Sequence, residues 1–211
     1  MNMTDILDIA HITLLETFRE TVINMGGPAT KGTLMRRALR IAEQLPEAEY
    51  EDLDEWEDAV KAQTHPITRI EGVAVRDGFI FTLPVCPFAK SIKTYNELYG
   101  GLPAEYATIV EEYNKPGRFT GDLKVGYGSG VSPFCAIHQP FRSAGGKKIK
   151  VGGEDIQIIQ LGCKGGDGKK VVSEQLCQNA GVDPETVTEH LDNGMCVYMV
   201  QIAGHTQEAS K

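Results

Sequence analysis

Between Ile67 and Ala89 the chain carries the pattern that most constrains its fold. β-Branched residues recur in near alternation from Ile67 to Val75, Asp77-Gly78 offers a tight turn, and Phe79 to Val85 is apolar again. Two such runs about a two-residue turn predict a β-hairpin. Its second strand leads straight into Cys86-Pro87-Phe88-Ala89, where the proline suits the first position of a helix. The chain must therefore place strand and helix side by side, which excludes a purely helical bundle.

The flanks extend this reading. Leu7, Ala10, Leu14, Leu15, Phe18 and Val22 follow the 3.6-residue period and predict an amphipathic helix over 5–23, ended by Gly26-Gly27-Pro28. A second helix is expected from Thr33 to Leu45, stopped by Pro46. Eight acids then crowd between Glu47 and Asp58, with Tyr50, Leu53, Trp56 and Val60 at helical spacing. An acidic helix with a solvated face is the expectation there, docking to a basic partner the alternative. After the Cys-Pro junction, helices are expected over 88–99, with Tyr95 and Tyr99 on one face, and from Pro103 to Tyr113. Residues 118–131 are glycine-rich, and a short helix can begin at Pro133.

A second hairpin is expected from Lys147–Val151 and Asp155–Leu161 about Gly152-Gly153-Glu154. A glycine turn after Cys163 should feed a helix that Gly181 closes. Asp183-Pro184-Glu185 starts another, and Met195–Ile202 reads as a last apolar strand. The predicted fold is α+β, with an antiparallel sheet made from two hairpins and the C-terminal strand. A helical N-terminal region (1–64) precedes the cysteine-containing domain (65–204), and a polar tail (205–211) follows.

Several function classes drop out. A net charge of −8 with scattered basic residues argues against nucleic acid as the main partner. No run of about 18 apolar residues spans a bilayer, and no secretory leader is visible at Met1–Asp5, so the expected location is the cytoplasm. Gly126-Tyr127-Gly128-Ser129-Gly130 breaks the dinucleotide spacing, and Cys163-Lys-Gly-Gly-Asp-Gly168 fails the phosphate-loop spacing. Gly128-Ser129-Gly130 lacks the flanks of a hydrolase nucleophile elbow.

Cysteine chemistry remains. Five cysteines in a reducing compartment read as thiols, metal ligands or redox groups. Cys86 and Cys135 each lie at an expected helix start, where unpaired amides favour a thiolate. His138 shares a helical face with Cys135, and Cys196 lies in the last strand. Cys86, Cys135, His138 and Cys196 have the makeup of a zinc site, closed or catalytic, and three thiolates equally suit an iron–sulfur cluster. A thiol enzyme, with Cys86 or Cys135 as nucleophile and His138 as base, is the rival. Inert core cysteines are the structural alternative. Cys163 is placed either near the site or on the surface, and Cys177 in ordinary helix packing. Gly126, Tyr127, Gly128 and Gly130, with Tyr95 and Tyr99, are the expected lining of a small-molecule pocket.

Cys86-Pro87-Phe88-Ala89, Cys135 and Cys196-Val-Tyr198-Met-Val200 together resemble a group of small cysteine-containing domains. These include the 4-vinyl reductase-type domains, the L-2-amino-thiazoline-4-carboxylic acid hydrolase-like proteins and the iron–sulfur-binding C-terminal domains of some winged-helix regulators. The resemblance covers about residues 67–202. It implies an α+β domain that binds a small hydrophobic ligand or a metal through Cys86, Cys135 and Cys196. The chain departs from the pattern in His138, in the Gly121–Gly130 stretch, and in an acidic N-terminal region without a helix-turn-helix. The expectation is a metal- or cluster-binding protein beside a small-molecule pocket. A cysteine-dependent hydrolase and a non-catalytic ligand-binding protein are the alternatives, and oligomeric state, including a homo-oligomer, stays open.

Overall fold

The computed structural model of the chain describes residues 3–63, 67–101, 104–105, 146–165 and 168–203. The expected helices at Pro103–Tyr113 and Pro133 and the glycine-rich stretch at 118–131 lie outside the described residues.

Two helices open the chain, α1 (Met3–Met25) and α2 (Gly27–Glu43). The second starts earlier than its apolar spacing suggests, because Pro28 in its first turn has a φ already suited to a helix. The acidic stretch then divides. Ala48–Tyr50 forms a short strand, β1, and only Leu53–Gln63 is helical, as α3. Asp52 sets the boundary: its Oδ1 accepts from the backbone N–H of both Asp54 and Glu55, 2.9 Å each, the bonding of a helix N-cap.

Thr68–Arg69 is β2 and Gly78–Leu83 is β3, antiparallel neighbours with Thr68 opposite Thr82 and Arg69 opposite Phe81. Pro87–Tyr99 is α4. Further on come β4 (Ile149–Val151), β5 (Glu154–Lys164) and β6 (Lys170–Val172). The helices α5 (Glu174–Ala180) and α6 (Pro184–Asn193) lead to β7 (Cys196–Ile202). β6 takes up part of the stretch expected to be a simple turn into α5. Its β-branched Val171 and Val172 pair with Cys163 and Gly162 of β5. Helix punctuation follows the sequence closely. Ser173 caps α5 through the Leu176 N–H, Gly181 closes it at a φ of 69°, and Asp183 caps α6 through the Glu185 N–H.

The sheet order is β1-β4-β5-β7-β3-β2, with β6 also paired to β5. The fold is α+β, but the sheet is mixed and not purely antiparallel as expected. β1 runs parallel to β4, with Ala48 opposite Ile149 and Tyr50 opposite Val151. The sequence signal for an antiparallel sheet came from local pairs of strands, and β1 joins from 101 positions away in register.

Two cores cover the two faces of the central strands. On one, Phe79, Phe81, Ile156, Cys163, Cys196, Tyr198 and Val200 pack with Trp56 of α3. On the other, Ile80, Leu161, Val197 and Met199 pack against Cys177, Val182, Val187 and Leu191 from α5, α6 and their link. The period-two alternation of β3 and β7 assigns each side chain to its face. α3 is tied down by charge as well as by Trp56. Buried Glu57 accepts from Arg69 at 2.6 Å and Lys61 at 2.7 Å. Arg69 also meets Asp54 at 2.5 Å and lies 3.9 Å above the Phe79 ring. Burial works against the Arg69 charge, but the carboxylates of Asp54 and Glu57 outweigh it and hold the guanidinium pKa above its usual value.

Candidate thiol site

Two of the described thiols, those of Cys163 and Cys196, meet through an irregularity in β5. From Ile156 to Gln160 this strand opposes β7 in simple register, Ile156 facing Ile202 and Gln160 facing Tyr198. Between Gln160 and Gly162 the register shifts, so that Gly162 faces Val197 and Cys163 faces Cys196. The extra residue is a β-bulge. Strict alternation from Ile156 would turn Cys163 toward α5 and α6, because a one-residue slip moves a side chain to the opposite face. The bulge instead turns it to the face that carries Cys196, Tyr198 and Phe81.

The Lys164 N–H donates to Met195 O at 2.7 Å. That bond, one residue after Cys163 and one before Cys196, is the kind that flanks a non-hydrogen-bonded antiparallel pair, and Cys163–Cys196 is such a pair. In such pairs the Cα atoms stand about 4.5 Å apart and the side chains are closest. The two sulfurs are 3.8 Å apart, and each residue is 2% exposed. The Cys163 thiol also approaches Lys164 O at 3.7 Å.

The neighbouring elements fix Cys196 in place. Thr82 Oγ1 donates to Cys196 O at 3.1 Å, and the Met195 N–H donates to Leu83 O at 2.8 Å. Gly194, just before the strand, lies so close to β3 that a Cβ there would stand 2.1 Å from Thr82 Oγ1. Leu83 is the β3 residue opposite Cys196. Cys86 follows three positions later as the half-buried N-cap of α4, with extended backbone and Pro87 in the first turn, as the sequence implied.

Of the expected site cysteines and histidine, the structure therefore describes Cys86 and Cys196, and gives Cys196 a partner in Cys163, a residue whose sequence context allows either the site or the surface. Cys135, His138, Gly126, Tyr127, Gly128 and Gly130 lie outside the described residues. Tyr95 is buried and donates its hydroxyl to Glu16 of α1. Its ring stands 4.6 Å from that of Tyr99, which is exposed. Burial, then the hydrogen bond to the Glu16 carboxylate, pushes the Tyr95 phenol well above its ordinary pKa. Cys177 is buried in the α5–α6 core, where burial first and Asp183 second push its thiol up. It belongs to packing, as expected.

Among the described residues no three His, Cys, Asp or Glu side chains gather where they could hold a metal ion, and no helix is long and apolar enough to cross a membrane. Two sulfurs in contact are what the described residues offer. Chemically, such a pair can ligate a soft metal ion or exchange electrons as a dithiol. No protein-family model, curated protein or solved structure matches the chain.

Proposed function

We propose that this protein holds a thiophilic metal centre, zinc or iron of an iron–sulfur cluster, on the thiolates of Cys163 and Cys196, beside a pocket for a small organic molecule. The observation that carries the reading is the distance between the two sulfurs. A tetrahedral ion with metal–sulfur bonds of about 2.3 Å sets its two sulfurs about 3.8 Å apart, and these sulfurs stand 3.8 Å apart. Thiolates are the ligands that select zinc and iron–sulfur centres.

Two thiolates leave two positions of a tetrahedron. Cys86 is one candidate, since it follows the strand whose Leu83 pairs with Cys196; Cys135 and His138 are the others. With all four positions filled by protein the centre is structural; with one left open it polarises a bound substrate or activates water. Gly126, Tyr127, Gly128 and Gly130 are the proposed lining of the adjoining pocket. Reduced cysteines suit the cytoplasm, and the net charge of −8 disfavours nucleic acid as a partner.

Anaerobic purification followed by metal analysis and a visible spectrum tests the reading. The expected result is stoichiometric zinc or iron that is lost in Cys163→Ser and Cys196→Ser and kept in Cys177→Ser. A colourless, metal-free protein with every thiol intact contradicts it.

The position of Cys86 supports a second reading, a thiol enzyme with Cys86 or Cys135 as nucleophile and His138 as base. Cys86 caps a 13-residue helix and is only half-buried, the setting that favours a thiolate. Iodoacetamide at neutral pH should then label one thiol far faster than the rest. Uniform labelling rates exclude it.

A further inference from the structure

We infer that Cys163 and Cys196 are a modification site, a dithiol that a peroxide converts into a reversible cross-strand disulfide. The inference goes beyond the metal reading and rests on the pair alone. A disulfide needs Cα atoms between about 4.4 and 6.8 Å apart, and a non-hydrogen-bonded antiparallel pair supplies about 4.5 Å. Cys163 and Cys196 are such a pair, as the flanking Lys164 N–H to Met195 O bond requires. The sulfurs already touch at 3.8 Å on the same face of the sheet, so side-chain rotation brings them to bonding distance without a change of register.

The pair lies inside the sheet, with β6 alongside Cys163 and β3 alongside Cys196. Both thiols are buried, so the oxidant that reaches them must be small, and hydrogen peroxide qualifies. One thiolate attacks a peroxide oxygen and breaks the O–O bond, giving a sulfenic acid and a hydroxide that leaves as water after taking a proton. The second sulfur displaces the sulfenic hydroxyl as another water, and the S–S bond forms. Two thiols lose two electrons and two protons, and one peroxide becomes two waters. A disulfide has no thiolate to offer, so oxidation of a metal-loaded pair releases the ion.

The test uses the full chain in two portions, one chelator-treated and one zinc-loaded. Each is exposed to graded hydrogen peroxide, unfolded in N-ethylmaleimide, digested and mapped by mass spectrometry. The expected product in the chelator-treated portion joins the Cys163 and Cys196 peptides with the loss of two hydrogens, and dithiothreitol reverses it. In the zinc-loaded portion the same product appears in step with zinc release. Recovery of both residues as alkylated thiols or as sulfinic acids, or linkage of either to Cys86 or Cys135, overturns the inference. The wild-type map needs no variant to fold; Cys163→Ser should abolish the linked peptide, and Cys177→Ser should leave it. A linked pair in a protein that never retains metal supports this inference and sinks the metal reading alone. Retained metal with no linked pair does the reverse.

Discussion

Substitution of Gly162 by alanine tests how the bulge that turns Cys163 is accommodated. A Cβ at this position would stand 2.8 Å from Val187 Cγ1, 3.1 Å from Leu191 Cδ1 and 3.3 Å from Val171 O. Val187 and Leu191 belong to α6 and are 1% and 0% exposed, so neither has solvent to move into. Overpacking of this kind costs about 1–3 kcal/mol. Val187→Ala alone removes two buried methyl groups, about 1.6 kcal/mol at the usual value per group. In the double variant the new Cβ occupies space that the valine methyls have vacated. The double variant should therefore be about as stable as Val187→Ala, with a favourable coupling of about 1–3 kcal/mol, the whole cost of the glycine substitution. Urea unfolding followed by circular dichroism reads this as shifts in midpoint at unchanged slope. If the two losses simply add, α6 does not close on the bulge as described, and the reasoning fails.

Other consequences follow from the ion pairs and from Tyr95. Glu57→Ala takes the buried acceptor from Arg69 and Lys61 and should cost about 1–3 kcal/mol, whereas alanine at the exposed Asp58 should cost under about 0.5 kcal/mol; urea midpoints compare the two. The Tyr95 phenol has its folded pKa raised above the ordinary 10.0, so its contribution is complete below that pH and declines as pH rises through it, where only the unfolded chain ionises freely. Tyr95→Phe should therefore flatten the alkaline loss of stability. An unchanged alkaline slope in that variant would show that Tyr95 is not buried against Glu16.

How much of this was written in the sequence differs element by element. The Cys86-Pro87 helix start, the Asp183 cap and the glycine after α5 rest on one or two residues each, and such local signals survive folding intact. β1 did not announce itself. Its three residues sit in an acid-rich run at helical spacing, and only the parallel partner β4 makes them a strand. The strand expected from Ile67 to Val75 contracts to Thr68–Arg69 plus a bridge between Val75 and Gly78, because pairing with β3 decides its length. Cys163 was the instructive case. Counting alternation from Ile156 sends its side chain to the wrong face, and the register shift between Gln160 and Gly162 brings it to Cys196. A single glycine beside a cysteine near the end of a strand that is otherwise free of glycine was the available hint, since glycine inside a strand often marks a bulge.

X-ray absorption at the zinc edge is the most direct measurement of the central claim, that Cys163 and Cys196 act together as thiolate ligands. Zinc-loaded protein should show sulfur scatterers at about 2.3 Å, with that shell losing two sulfurs in the Cys163→Ser/Cys196→Ser variant. A shell made only of nitrogen and oxygen, or a sulfur shell unchanged in the double variant, would contradict it.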